Sequence, residues 1–167
     1  MILNKLHIHR LSVEFDLLDA GNVVYHPNYL ILCERARNAA LSEAGYTFKE
    51  MWSAGNALAI VESNSKYMRA IEYGQDLAIL TLATDSTGTR LTVHQDIVLA
   101  SSLPLDFQSP GYKSVRIEAP KKDIFYQVDF TLASVKLNPI KPSRHPEGLS
   151  KALGLSTRTE ATGSERT

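Results

Sequence analysis

The sequence predicts an α+β layer, one long helix laid against one antiparallel sheet. Three observations carry that reading. Apolar and small residues recur at helical spacing between Pro27 and Ala44. Four later stretches, 57–68, 77–84, 89–100 and 124–135, instead alternate with period two and are rich in β-branched and aromatic residues. A chain of 167 residues also fits one domain with a sizeable core.

The elements follow in order. Residues 7–15 alternate, with His7, His9, Leu11, Val13 and Phe15 on one side and Ile8, Arg10, Ser12 and Glu14 opposite. That pattern predicts a strand with one mostly buried face. A turn-rich DAGN follows, and Pro27 suits the first helical position because its missing N–H is not needed there. The helix stripe is Tyr29, Leu32, Cys33, Ala36, Ala40 and Ala44, narrow enough for close approach to a sheet, and Gly45 ends it. Arg35 and Arg37 read as a solvated or interface face, with Glu34 pairing along the helix to Arg37 or Asn38. Thr47 and Glu50 have capping-box spacing for a second, short helix that stops near Gly55.

Asp85-Ser86-Thr87-Gly88 predicts a hairpin turn between the second and third of the four strands. Residues 101–123 form a long connection holding Pro104, Pro110, Gly111 and Pro120, with a short added strand in YKSVRIE. The domain is expected over 1–141. Residues 142–167, rich in Ser, Thr, Gly and charge, are expected as a mobile extension. A single helix cannot cover both faces of five strands, so the bare face and the sheet edges predict a homo-oligomer.

Composition narrows the function. Eighteen basic residues balance 18 acidic ones, which suggests neither nucleic acid nor an anionic membrane as a partner. The single cysteine, Cys33, cannot form an intrachain disulfide, and no stretch approaches a membrane span or a cleavable leader, so the expected location is cytoplasmic. Cys33 on the buried stripe reads as core packing. His7, His9 and His94 fall on strands, no H-E-x-x-H spacing occurs, and no metal is expected. Read locally, Asp19 before Ala-Gly-Asn is an ordinary turn residue.

The whole stretch EFDLLDAGNVVYHPNYLILCERAR says more. It resembles the N-terminal signature of the hotdog-fold acyl-CoA thioesterases of the 4-hydroxybenzoyl-CoA thioesterase and Tol-Pal-associated type. In that signature an acid precedes a Gly-containing turn, followed by V-Y-H/Y, an Asn-Tyr pair and an E-R-A-R helix. The likeness is densest over 13–37 and runs more loosely to about 142, through TGTRLTVHQDIV and a final K-P. Leu17 stands where the family often has a further acid, Asn22 where a second glycine is common, and residues 101–123 are longer than usual.

The resemblance implies a hotdog fold with five or six strands, a homodimer or homotetramer, and hydrolysis of an acyl-CoA thioester. Asp19 falls at the catalytic carboxylate, as base or nucleophile, and His26 at the backbone amide that holds the oxyanion. Gly21 would allow close backbone approach, Tyr25 and Asn28 match signature positions, and Tyr29 lines an acyl pocket or packs the core. Ser63 and Ser65, with Asn64 between them, either face the thioester or sit on an exposed edge. Arg90, Lys141 and Arg144 are candidate contacts for the CoA phosphates, or plain solvated charge. No cofactor is implied, since CoA arrives with the substrate. An acyl carrier protein thioester, another hotdog chemistry and non-catalytic acyl-CoA binding remain alternatives.

Overall fold

The computed structural model describes residues 5–114 and 119–155. The elements are β1 (Leu6–Ser12), α1 (His26–Glu43), α2 (Phe48–Ser53), β2 (Asn56–Tyr67), β3 (Asp76–Ser86), β4 (Arg90–Leu99), β5 (Gly111–Lys113), β6 (Ile124–Lys136), β7 (Lys141–Pro142) and α3 (Leu149–Ala152). A 3-10 turn, Phe15–Leu17, follows β1. All strand pairs are antiparallel, in the order β2-β6-β4-β3-β1-β5, with β7 beside β6. This is the α+β hotdog arrangement the sequence predicts, with seven strands because β5 and β7 are short additions. The added strand expected within YKSVRIE is β5; residues 115–118 of that stretch lie outside the described residues.

The local signals act as expected. The Thr47 hydroxyl accepts from the Glu50 amide while Glu50 reaches back to the Thr47 amide, closing the capping box of α2. Gly45, at φ 89°, takes the left-handed position that ends α1. The register sets the two ends of the sheet. Tyr67 pairs with Tyr126, Tyr126 with Ile97, and Ser12 with Asp76 at one end. At the other, Asn56 pairs with Lys136 and Arg90 with Ala133.

Helix α1 covers one sheet face. Tyr29, Leu32, Cys33 and Ala36 pack on Leu77, Ile79, Ile97, Tyr126, Val128 and Phe130. Small residues in the stripe let the helix axis come close, and dispersion contacts reward that. Arg37 departs from the expectation of a solvated face. It is buried, with its guanidinium 4.0 Å over the Phe130 ring and one N–H donated to Gln95 Oε1 at 3.1 Å. Glu34 makes no ion pair with it among the described residues.

The opposite face is the second departure. Ile8, placed by alternation on the unburied side, is fully buried with Leu6, Ala78, Leu80, Leu82 and Val98. The cover is the long connection, through Leu103, Phe107 and Ala119, together with Ala100 and Ile124 that flank it. Alternation reads one buried face only when the other meets water. Here Leu103, Phe107 and Ala119 of the long connection lie over the strand, so the first residues of β1, Leu6 to Ile8, are buried on both sides. The strand also ends earlier than 15, and Phe15 is exposed in the 3-10 turn.

The cover is partial. On β4 and β6 the same face carries a polar group. His94 Nδ1 lies 2.7 Å from Asp129 Oδ1 and His94 Nε2 lies 3.1 Å from Asp96 Oδ1. Gln127 also donates to Asp96, at 2.9 Å. Hydrogen bonding to Asp96, then to Asp129, raises His94 to about 9, against partial burial.

The third departure is the chain end. Residues 142–155 pack rather than extend: Leu149, Leu153 and Leu155 are buried against Ala83, Leu91, Val93 and Leu132. Tyr46 Oη donates to the Glu147 carbonyl and Ser86 bonds Ser150. The composition of this stretch looks too polar to fold, but three leucines suffice where an apolar groove awaits them. Residues 156–167 lie outside the described residues.

Two outcomes test this packing. Leu153→Ala lowers unfolding free energy by about 2–5 kcal/mol in denaturant titration. His94 has a raised folded value, so its contribution is full below about 6.5 and is lost as pH rises through about 9. The melting temperature of the wild type therefore falls across that window more than that of His94→Gln.

Candidate active site

The site is assembled where the DAGN turn meets the start of α1. Leu18 and Val24 form an antiparallel bridge, and between them Asp19 N–H donates to the Val23 carbonyl at 2.9 Å and Asn22 N–H to the Asp19 carbonyl at 3.1 Å. Asn22 has φ 61°, a conformation that glycine or asparagine accepts, which explains asparagine at this position. The Gly21 N–H donates to Asp19 Oδ1 at 2.7 Å. A Cβ on Gly21 would stand 3.1 Å from that same oxygen. The glycine therefore makes room for the carboxylate of Asp19. Asp19 itself is exposed and makes no other side-chain hydrogen bond among the described residues, leaving Oδ2 available to a reactant.

The helix start is tied to the same loop. Tyr25 N–H and Asn28 Nδ2 both donate to the Leu17 carbonyl, each at 2.9 Å. Val24 N–H donates to the Ile71 carbonyl, anchoring the loop to the β2–β3 connection. α1 begins at His26, with Pro27 second rather than first. The His26 N–H has no acceptor among the described residues. It stands at the positive end of an 18-residue helix. The His26 ring is exposed and lies edge-on to the exposed Tyr25, 4.8 Å between centroids.

Beneath the helix start lies an aromatic wall that the sequence only partly shows. Tyr29 is buried, accepts from the Ile71 N–H, and packs 5.2 Å from Tyr67 and 5.1 Å from Tyr126. Tyr67 Oη donates to the His26 carbonyl at 3.2 Å, and Ser65 bonds Tyr126 Oη at 2.7 Å. Burial pushes the Tyr126 phenol up to about 12, so it stays protonated at neutral pH. Tyr67 and Tyr126 escape sequence reading because each looks like an ordinary strand aromatic. Only their pairing across β2 and β6 brings them under α1.

The other candidates sort by register. Ser63 and Ser65 lie on the helix side of the edge strand β2, Ser63 exposed and Ser65 half-buried against Tyr126. Asn28 spends its side-chain amide on Leu17, a holding role. Arg90, Lys141 and Arg144 are at the far end of the sheet, away from His26 within the protomer. Cations at the near end are Lys66, Arg69, Lys121 and Lys122, with Arg69 donating to the Lys122 carbonyl at 2.9 Å and lying 4.8 Å over Phe125. Burial pushes the Cys33 thiol up to about 12, so it is no nucleophile. No group of three potential metal ligands is assembled among the described residues.

An acid on a tight turn near an unpaired helix N-terminal amide is one constellation for acyl transfer; the comparisons with known proteins bear on the family of the chain. The sequence profile of the Thioesterase superfamily matches residues 21–104, 84 of the 167. The chain belongs to the thioesterase superfamily. Among superfamily members, the acyl-CoA thioester hydrolase YbgC of Escherichia coli is 30% identical over 96 residues, covering 58% of this chain and 72% of that protein. YneP of Bacillus subtilis, named as an acyl-CoA thioesterase, is 27% identical over 85 residues, covering 50% of this chain but only 62% of its own length. In structure, the 1,4-dihydroxy-2-naphthoyl-CoA thioesterase of Synechocystis superposes with a TM-score of 0.71 at 17% identity, covering 89% of this chain and 95% of that one. That level of identity shows the shared fold. The superfamily match begins at Gly21 and so includes His26, while Asp19 lies just ahead of it.

The Asp19–Gly21 contact gives a direct test. Gly21→Ala moves the carboxylate by a few tenths of an ångström, since the new methyl meets Oδ1. The expected result is a fall in kcat for thioester hydrolysis with KM and melting temperature little changed.

Proposed function

We propose that this protein hydrolyses an acyl-CoA thioester to the free acid and CoA, with Asp19 and the His26 amide acting on opposite sides of the carbonyl. The observation that carries the reading is the His26 N–H at the head of α1, unpaired among the described residues, flanked by Tyr25 and Asn28, which both donate to the Leu17 carbonyl just ahead of Asp19. A thioester carbonyl is electrophilic and its thiolate leaves readily. The reaction needs an activated water or nucleophile and a positive site for the developing oxyanion. The Asp19 carboxylate, steered by Gly21, takes the proton of a water or attacks directly. The His26 amide receives the oxyanion, a contribution worth about 3 kcal/mol for one such donor.

The surroundings support the same reading. The near-end cations, Lys66, Arg69, Lys121 and Lys122, offer contacts for the CoA phosphates, in place of Arg90. Half-exposed Tyr67, backed by buried Tyr29 and Tyr126, offers an aromatic ring beside His26, which favours a planar aromatic acyl group over an alkyl chain. No cofactor enters this chemistry. A second copy of the chain completes the site: β2 is an edge strand with Ile60 and Val61 about half exposed, and the Asp19 turn opens onto a depression flanked by exposed Phe15 and Tyr73. No helix of the described residues is long and apolar enough to cross a membrane, and a cytoplasmic enzyme fits the absence of disulfides.

A panel of aryl- and alkyl-CoA thioesters tests this with wild type and Asp19→Asn. The expected outcome is hydrolysis by the wild type and a loss of about 10²–10⁴-fold in kcat in the variant. Equal background turnover by both proteins on every thioester indicates a non-catalytic acyl-CoA-binding protein instead. Single-turnover reaction in heavy-oxygen water separates the two routes, because label enters the Asp19 carboxylate only when an anhydride forms.

A further inference from the structure

An amide that polarises a carbonyl must point at one place, and a helix N-terminus does not by itself guarantee that. The His26 N–H has no acceptor among the described residues, and Pro27, next in the chain, offers no N–H. The direction of the His26 N–H is therefore set by the carbonyls on either side of it. The Tyr25 carbonyl shares a peptide plane with the His26 N–H and accepts from the Asn28 N–H at 2.8 Å. That bond also polarises the shared peptide group and strengthens its N–H as a donor. The His26 carbonyl belongs to the next plane and accepts from the Tyr67 hydroxyl at 3.2 Å. One restraint comes from within the helix, the other from β2 across the layer.

Tyr67 is held for this contact. It is the last residue of β2, and the Met68 N–H that follows donates to the Phe125 carbonyl at 2.8 Å, which fixes the backbone there. Its ring lies 5.2 Å from that of Tyr29 at 76° and 4.9 Å from that of Tyr126 at 58°, so two buried rings fix where the hydroxyl reaches. A phenylalanine would make the same ring contacts. What the hydroxyl adds is a donor to the His26 carbonyl, whose two lone pairs can serve both Tyr67 and the first turn of α1. With the planes on both sides tied, the two soft dihedrals of His26 have little freedom left.

We propose that Tyr67 is a positioning residue: through its hydroxyl on the His26 carbonyl it holds the His26 amide on the carbonyl oxygen of the bound acyl-CoA. The proposal rests on the reading of His26 as the oxyanion donor. The hydroxyl acts through His26 and not on the reacting atoms, and its role is separate from that of the ring, which is the surface offered to the acyl group. Small displacements of a donor matter at this distance from the chemistry, because the hydrogen bond must tighten as charge develops on the oxygen.

Tyr67→Phe removes the hydroxyl and keeps the ring. The probe is an aryl-CoA ketone, with a methylene in place of the thioester sulfur and carbon-13 at the carbonyl, which binds without being hydrolysed. An amide N–H on that oxygen moves the carbonyl resonance downfield. The expected result is a downfield shift on binding to the wild type and a smaller one in Tyr67→Phe. In turnover, kcat falls about two- to tenfold, the worth of one neutral hydrogen bond, while KM, melting temperature and the preference for aryl over alkyl thioesters stay as in the wild type. Equal downfield shifts in both proteins overturn the proposal. So does a fall in kcat that comes with a matching fall in melting temperature and equal shifts, which marks the hydroxyl as structural. A wild type that leaves the resonance at its free position overturns the oxyanion assignment of His26 and this proposal with it. A smaller shift in Tyr67→Phe, with no thioester hydrolysed by either protein, upholds the positioning role and sinks the hydrolytic reading alone.

Discussion

One carbonyl, that of Leu17, fixes the geometry on which the proposed chemistry depends. It accepts from the Tyr25 amide and from the Asn28 side chain, so the first turn of α1 cannot move independently of the loop carrying Asp19. A carbonyl has two lone pairs, and here both serve to tie a helix end to the turn preceding it. Helix N-termini fray when their first donors meet only water. With Tyr25 and Asn28 spoken for and Pro27 lacking an N–H, His26 carries the unpaired amide near the turn. The preorganised donor thus follows from a local accounting of hydrogen bonds.

That clamp rests in turn on packing. Ile71 receives the Val24 amide through its carbonyl and donates its own N–H to Tyr29, so the β2–β3 connection holds both the loop and the helix. Tyr29, Tyr67 and Tyr126 then fill the space below. The same side chains support α1 and flank the proposed site, which makes stability and function hard to separate at these positions. Farther along the helix, the Arg37–Gln95–Phe130 group is a second fixed point, polar in a layer that is otherwise apolar. The two points hold the helix at its start and near its middle.

The additions to the fold act on its other surfaces. The 101–123 connection takes over part of the sheet face opposite α1, and the chain end closes the far end of the groove beneath the helix. Between them they bury apolar side chains of the sheet that would otherwise meet water. What stays uncovered is the β2 edge, with Ile60 and Val61, and the polar group centred on His94. An apolar edge strand and a polar sheet face call for different partners, so the edge is the stronger candidate for contact with a second copy.

Sequence alone determined the helix, the four long strands and the α2 cap, because these rest on local periodicity and local hydrogen bonds, and the candidate site was legible as far as it lies in one short stretch, 17–28. Alternation in 124–135, the Thr47–Glu50 pair and the Gly45 stop need no distant residue to be read. Tertiary structure decided whatever depends on which surface meets which. Ile8 is buried because a segment about a hundred residues later covers it. Arg37 is buried because Phe130 and Gln95 wait across the layer. Arg90 lies far from His26, and Tyr67 close to it, because strand register chooses the end of the sheet each one occupies. A period in sequence specifies which residues share a face, but only the folded chain specifies what that face touches.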